Sequence, residues 1–336
     1  MRGRELLIGL AGLVGLVALA AAPAMAVASQ AVVAGKSKTF SASPEDSAAA
    51  AKTITKKKLK VNTKSTAVSF GSGTSVSSAA ACTGKTHLTG GGFAVAPGFN
   101  AGTGLRSLNP ISHPVDTKTW NAGGSAFTAP AASGSFTTYA RCEGNALGKL
   151  VTTLTGTTTI PPATGQVMNF VCAPGTHVIS GGYSGTLPNN LNSPGLGTRI
   201  IVLQNQRTGT GQWTVAGFNN MGGGVTATLT GYATCEADGK RRTVTEASAV
   251  APIGDNVRSA ADATCTGKKH VVSGGFLLSP AVFPGPALYA SVDESNPVDK
   301  KGWHVGLYEY PEVGLPPGSN VATYAYCKKD PPKQKK

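Results

Sequence analysis

The chain has 336 residues, including 44 glycines and 21 prolines, with 14% charged residues and a formal charge of +14. The abundance of glycine and proline beside so few charges argues against a helical fold. None of the six cysteines forms a Cys-x-x-Cys pair, which excludes a zinc ribbon and a thioredoxin-like redox site.

Residues 1–26 read as a Sec-type signal peptide. Arg2 and Arg4 precede an apolar run over residues 6–22, and Ala24-Met25-Ala26 supplies the cleavage site. That run is rich in Ala and Gly and ends at Pro23, barely long enough to cross a bilayer. No later segment is apolar enough to cross. The mature chain is therefore expected to be secreted and extracellular, without a transmembrane segment, and an even number of cysteines suits that oxidising compartment. Residues 27–56 form an Ala/Lys/Ser-rich stretch expected to be a flexible arm.

Three copies of one pattern follow. The first reads Cys82-Thr-Gly-Lys-Thr-His87-Leu-Thr-Gly-Gly91-Gly92-Phe93, the second Cys172-Ala-Pro-Gly-Thr-His177-Val-Ile-Ser-Gly181-Gly182-Tyr183. The third is Cys265-Thr-Gly-Lys-Lys-His270-Val-Val-Ser-Gly274-Gly275-Phe276. A tryptophan follows in each (Trp120, Trp213, Trp303), and each closes on Tyr-Ala-x-Cys at Tyr139–Cys142, Tyr232–Cys235 and Tyr324–Cys327. Val61, Val151 and Val244 each lie the same distance before their Cys. The repeats run over 57–145, 146–239 and 240–330, and a basic tail occupies 331–336.

Within the repeats, short runs alternate apolar and polar residues with the period of a half-buried strand. Six strands are expected per repeat, in the third near 243–250, 257–265, 270–278, 288–295, 303–308 and 321–327. The expected fold is all-β: three tandem disulfide-closed repeats of about 90 residues. They either close around a pseudo-threefold axis like a β-prism or pack as three β-sandwich units, because the connectors are too short for freely jointed domains.

The two cysteines of a repeat are separated by 60, 63 and 62 positions in the three copies. Equivalent positions of a repeat occupy equivalent places, so the favoured bridges are Cys82–Cys142, Cys172–Cys235 and Cys265–Cys327, with pairing between repeats as the alternative. Closing a loop of that length removes roughly 4 kcal/mol of unfolded-chain entropy per bridge in the simplest treatment.

The pattern Cys-x-x-Gly…Gly-Gly-aromatic…Trp…Tyr-Ala-x-Cys resembles a repeat of exported proteins of high-GC Gram-positive bacteria, one without an assigned activity. The resemblance covers the three repeats and not the Lys-rich arm. In that repeat the position of His87, His177 and His270 is often Lys or another polar residue, so the resemblance implies no role for histidine there. A looser likeness, in architecture alone, is to the egg vitelline outer-layer protein, a three-repeat β-prism with disulfides inside each repeat. No residues carry over from it.

Several constellations invite a functional reading. His87, His177 and His270 on a threefold axis would offer three imidazoles to one zinc or copper ion. Triplication alone explains their recurrence, so no metal is assigned. The Gly-Gly pairs lack a following helix and a Lys-Ser/Thr, which excludes a phosphate loop; a bulge or a close backbone approach explains them. Trp120, Trp213 and Trp303 read as core plugs against the disulfides rather than a sugar-stacking platform, and Tyr139, Tyr232 and Tyr324 as sheet-face residues. Asp116 and Asp299 read as turn caps rather than calcium ligands. No hydrolase motif is present, and the acids read as scattered without recurrence. Catalytic residues and cofactors are expected to be none.

Charge is concentrated at the ends, with +5 in residues 27–60 and +4 in residues 328–336. The body offers no basic face with interleaved aromatics, so no specific nucleic-acid partner is expected. The expected function is a secreted non-enzymatic structural or interaction protein, held on an anionic envelope polymer by its Lys-rich ends. The alternative is a lectin-like protein binding glycans through loops such as Asn189-Asn190-Leu191-Asn192 or residues 280–286. A secreted hydrolase inhibitor is the more distant alternative.

Overall fold

Short alternating runs punctuated by Gly and Pro become strands, and no described residue lies in a helix. The computed structural model describes residues 37–41, 60–71, 74–96, 106–127, 133–144, 151–186, 200–219, 224–237, 244–254, 257–279, 290–309 and 318–329. All of them belong to one unit, Ala31–Lys336. Residues 1–26, the expected signal peptide, and 331–336, the expected tail, lie outside the described residues.

A first strand, β1 (Ser37–Ser41), precedes the repeats. Repeat one supplies β2 (Lys60–Gly71), β3 (Ser75–Ala81), β4 (Thr86–Ala96), β5 (Arg106–Pro114), β6 (Thr119–Phe127) and β7 (Ser133–Gly144). Repeat two supplies β8 (Val151–Ile160), β9 (Gly165–Val171), β10 (Thr176–Thr186), β11 (Ile200–Gly209), β12 (Gln212–Asn219) and β13 (Ala227–Ala237). Repeat three supplies β14 (Thr245–Pro252), β15 (Arg258–Thr264), β16 (Lys269–Ser279), β17 (Ala290–Pro297), β18 (Gly302–Glu309) and β19 (Asn320–Lys329). Each of these six falls within two residues of its expected bounds.

Each repeat divides its strands between two sheets. The first, third and sixth strands form one half-sheet, and the second, fourth and fifth form another. The sheets run β3-β6-β5-β10-β13-β8, β15-β18-β17-β4-β7-β2 and β1-β9-β12-β11-β16-β19-β14. Every sheet thus joins half of one repeat to half of the next, and repeat three closes on repeat one. Three separate sandwiches are excluded, since every sheet crosses a repeat boundary. The central strands β4, β10 and β16 all touch one another and line the pseudo-threefold axis.

The disulfides follow the same logic. Cys82 bonds to Cys142, Cys172 to Cys235 and Cys265 to Cys327, with Cα–Cα separations of 5.6, 5.7 and 5.7 Å. In each bridge one Cys directly follows the second strand of its repeat and the other lies in the sixth, so each bond staples two different sheets. The three bonds together link all three sheets in a ring.

The Gly-Gly pairs show why the halves meet so closely. A Cβ on Gly91, Gly181 or Gly274 would overlap the ring of Trp120, Trp213 or Trp303 of the same repeat. A Cβ on Gly92, Gly182 or Gly275 would overlap the carbonyl oxygen of Ser295, Ser112 or Asn205 in the neighbouring repeat. The first glycine seats the tryptophan, and the second seats the next repeat's strand. The β-bulge expected at these glycines instead lies just before them, at Thr89, Ile179 and Val272.

The tryptophans are 0–1% exposed, and each indole N–H donates to the residue eight positions earlier: Ser112 Oγ, Asn205 Oδ1 and Ser295 Oγ, at 3.2, 2.8 and 3.2 Å. These acceptors sit on the strands that pair across the repeat boundary. The same side chains therefore fill the core and fix the seam. Arg141 adds a second tie, its Nε donating to Val271 O and its Nη2 to Lys300 O, both at 2.9 Å. At the equivalent position Tyr326 accepts a hydrogen bond from the Arg207 N–H at 2.7 Å.

One expectation fails at the arm. Residues 37–41, within the segment expected to be flexible, form β1 and pair in parallel with β9.

The seam makes a direct prediction. Gly275→Ala drives a methyl into the Asn205 carbonyl and should cost about 3 kcal/mol, the upper range for overpacking against a backbone that cannot yield. Gly211→Ala meets nothing within 4 Å and should leave stability nearly unchanged. Chemical denaturation of the two variants separates close approach from a general intolerance of glycine replacement.

Candidate functional site

Each of the three histidines is the second residue of an axial strand, placed there by the turn that follows its Cys. Directly opposite, one residue past the closing Cys, stand Glu143, Glu236 and Lys328. A bulge follows two residues after each histidine, at Thr89, Ile179 and Val272. Six ionisable side chains are thereby buried at one level of the prism: His87, His177, His270, Glu143, Glu236 and Lys328, none more than 4% exposed.

The contacts run between repeats. Lys328 Nζ lies 3.1 Å from Glu143 Oε2 and 2.5 Å from Glu236 Oε2, so one ammonium bridges all three repeats. His177 Nε2 is 3.5 Å from Glu236 Oε2, and His270 Nε2 is 3.8 Å from Glu143 Oε1. Burial works against the charge on Glu236, but Lys328, aided by the His177 and Lys328 hydrogen bonds, outweighs it and holds the carboxyl down to about 2. Burial also opposes the Lys328 charge, and Glu236 and Glu143 outweigh it, raising its pKa above the ordinary lysine value.

Two carboxylates against one ammonium leave a single negative charge when the imidazoles are neutral. The hub therefore has room for one further positive charge. Donor atoms of His87, Glu143 and Glu236 lie within 4.8 Å of one another, a set suited to a divalent metal. The ammonium already rests on both carboxylates, so a metal there has to displace Lys328. As it stands, the hub is an ionic joint held together by Lys328.

Two sequence expectations need correction here. The acids are not all scattered: Glu143 and Glu236 occupy equivalent positions, one residue past each closing Cys, and the third repeat hides the recurrence by carrying Lys there. Lys328 belongs to no basic end, being 3% exposed and part of β19.

The other candidates resolve into packing. Tyr232 stacks on His113 with centroids 4.3 Å apart, across the boundary between repeats one and two. Tyr139 and Tyr324 are half-buried on sheet faces. Asp116 Oδ1 accepts the N–H groups of Lys118 and Thr119 at 2.6 and 2.7 Å, and Asp299 Oδ1 those of Lys301 and Gly302 at 2.6 Å each. Both aspartates cap hairpin turns. The loops named for glycan binding, residues 189–192 and 280–286, lie outside the described residues.

A second polar cluster, not anticipated, belongs to repeat three alone. His304 Nδ1 meets Asp262 Oδ1 at 2.8 Å and its Nε2 meets Glu294 Oε2 at 3.1 Å, while Arg258 pairs with Glu294 at 2.8 Å and Asp293 at 3.3 Å. The Glu294 hydrogen bond, assisted by Asp262, raises the His304 pKa against its burial. At the same level of repeat two, Asn169 Oδ1 accepts from Thr214 Oγ1 and Gln212 Nε2 at 2.8 and 3.1 Å. The place is kept in geometry and varied in chemistry.

No protein-family model matches the chain, and no curated protein sequence resembles it closely enough to count as a relative.

The hub generates a test. Lys328→Met leaves Glu143 and Glu236 buried without their counter-ion and should destabilise the fold by about 3–5 kcal/mol, while the triple change Glu143→Gln, Glu236→Gln, Lys328→Met should recover most of the loss. Because the folded pKa of Glu236 is depressed, its contribution is complete above the ordinary value of 4.5 and is lost as pH falls toward about 2. Melting temperature followed from pH 6 to pH 2 (roughly the span of that titration) should fall less steeply in Glu236→Gln than in the parent.

Proposed function

We propose that this chain is an exported, non-enzymatic structural or interaction protein, a stiff three-sheet body held on an anionic envelope by its lysine-rich ends. One observation carries the reading. Among the described residues, most of the side chains that recur in all three repeats are buried against the body itself: the disulfides, the tryptophans in their glycine seats, and the histidines of the hub. A repeat whose matched positions face inward supports a scaffold better than a row of equal ligand sites.

Export is supported by three disulfides and by the leader-like segment 1–26. No helix among the described residues is long and apolar enough to cross a membrane. The net charge of +14 supports attraction to polyanions such as phosphate-bearing wall polymers. The attracting lysines are best sought at Lys52, Lys56, Lys57, Lys58, Lys333, Lys335 and Lys336, since Lys328 is consumed in the hub.

The test is a pull-down on purified envelope across a salt series. The full-length secreted protein should bind at low salt and be released as the Debye length shortens to several ångströms, near about 0.5 M salt. A variant with Lys52, Lys56, Lys57 and Lys58 changed to Gln and residues 330–336 removed should stay in the supernatant throughout, with an unchanged melting temperature. Retention of that variant on the envelope overturns the tether.

A further inference from the structure

The strand β1 belongs to none of the repeats, yet a specific socket receives it. It adds in parallel to the edge strand β9, in the register Ser37↔Val167 through Ser41↔Val171. Four of its five side chains are exposed, and only Phe40 turns inward. The Phe40 ring stacks on Phe170, with centroids 5.1 Å apart and planes 15° from parallel. It also lies over Gly156 of β8, where a Cβ would overlap it. Since β8 and β9 belong to different sheets, the ring wedges into the open seam between two layers of repeat two. Asn169 Nδ2 donates to Ser37 Oγ at 2.9 Å, while its Oδ1 is held by Thr214 and Gln212.

The other two repeats have no such socket. Where repeat two has Phe170, they have Ala80 and Ala263; where it has Gly156, they have Thr66 and Ala249; where it has Asn169, they have Ala79 and Asp262. Triplication did not produce this site. Three departures from the repeat, all in one copy and all touching the same short segment, mark a built acceptor for an extended strand with an aromatic at its fourth position.

Only residues 42–59 tie that strand to its own body. Parallel pairing dispenses with a hairpin turn, and the partners Ser37 and Val167 have the whole of repeat one between them in sequence. Residues 42–59 separate β1 from β2, a stretch that spans at most about 60 Å when extended. One ring, one side-chain hydrogen bond and one short edge ladder hold the segment. We propose that the β9 edge of repeat two is a strand-docking site, and that copies of this chain exchange residues 37–41 through it, linking the bodies without a covalent bond. A tether of this length gives an effective concentration in the millimolar range, so the segment fills its own socket in dilute solution. Exchange takes over where copies are crowded, as on a surface. The inference stands whether or not the lysine-rich ends bind an envelope.

The experiment uses two variants of the full chain and one peptide. Phe40→Ala keeps the socket and disables the strand, while Gly156→Leu keeps the strand and blocks the socket. A fluorescein-labelled peptide of residues 34–44 should bind the Phe40→Ala chain saturably and at least about tenfold more tightly than the same peptide carrying Phe40→Ala, as expected of an anchoring aromatic. In sedimentation at rising concentration, each variant alone should stay monomeric, and an equal mixture of the two should form a 1:1 complex. If Phe40→Ala does not fold, Thr39→Pro, which breaks the ladder instead, takes its place. Absence of peptide binding overturns the docking site. Peptide binding without any mixed complex, up to millimolar protein, overturns exchange and leaves an internal clasp.

Discussion

No repeat in this chain contains a complete layer. Each divides its six strands between two sheets, and the edge that would otherwise end each half-sheet is paired by the repeat before or after it. Backbone must therefore approach backbone across three boundaries, and that approach is possible only where a side chain is missing. Gly92, Gly182 and Gly275 supply the gap, each against a carbonyl of the adjacent repeat. Their neighbours Gly91, Gly181 and Gly274 admit the indole that fills the space behind. The disulfides then hold together the two layers that each repeat bridges. Ties between layers of different sheets matter most in such a design, because ladders alone cannot stop the layers from parting.

The axis carries the least economical feature of the fold. Burying two carboxylates and an ammonium costs several kcal/mol per ion before their attraction is counted, and an apolar plug of the same volume would often serve stability as well. What the ions add is order. Three equivalent positions hold Glu143, Glu236 and Lys328, so the contacts are satisfied when repeats one and two both face repeat three. Arg141 and Tyr326 break the symmetry again, each reaching a different hairpin. The outer clusters repeat the theme, with His304 between two carboxylates in repeat three and Asn169 between an amide and a hydroxyl in repeat two. A triplicated module with identical contacts would have no means to choose its neighbours.

Much of this is legible without the fold. The recurrence of Cys, Gly-Gly, Trp and Tyr-Ala-x-Cys announces three copies of a sheet module, and period-two alternation places the strands of repeat three within two residues. The sharing of sheets is not legible, because a repeat pattern reads the same whether its edges pair within a copy or between copies. Trp spacing suggests a core plug, and the indole is buried against a glycine that the pattern marks for its own sake. Lys328 stands at the head of a lysine run and takes its colour from its neighbours. Glu143 and Glu236 are in view, but a pattern broken in its third copy hides a site built from unlike charges. The strand β1 has no signal beyond a lone Phe40 in an Ala/Lys/Ser-rich stretch, and parallel pairing across a whole repeat leaves no local trace.

The fold rests on interlocking: halves of one repeat complete the sheets of its neighbours, so no repeat holds its structure alone. Differential scanning calorimetry of the intact oxidised protein tests this most directly. A single endotherm whose calorimetric and van't Hoff enthalpies agree is predicted, because losing one repeat strips three strands from each of two sheets at once. Resolved transitions, or a calorimetric enthalpy two to three times (roughly the number of independent domains) the van't Hoff value, would show that the repeats melt separately and would contradict it.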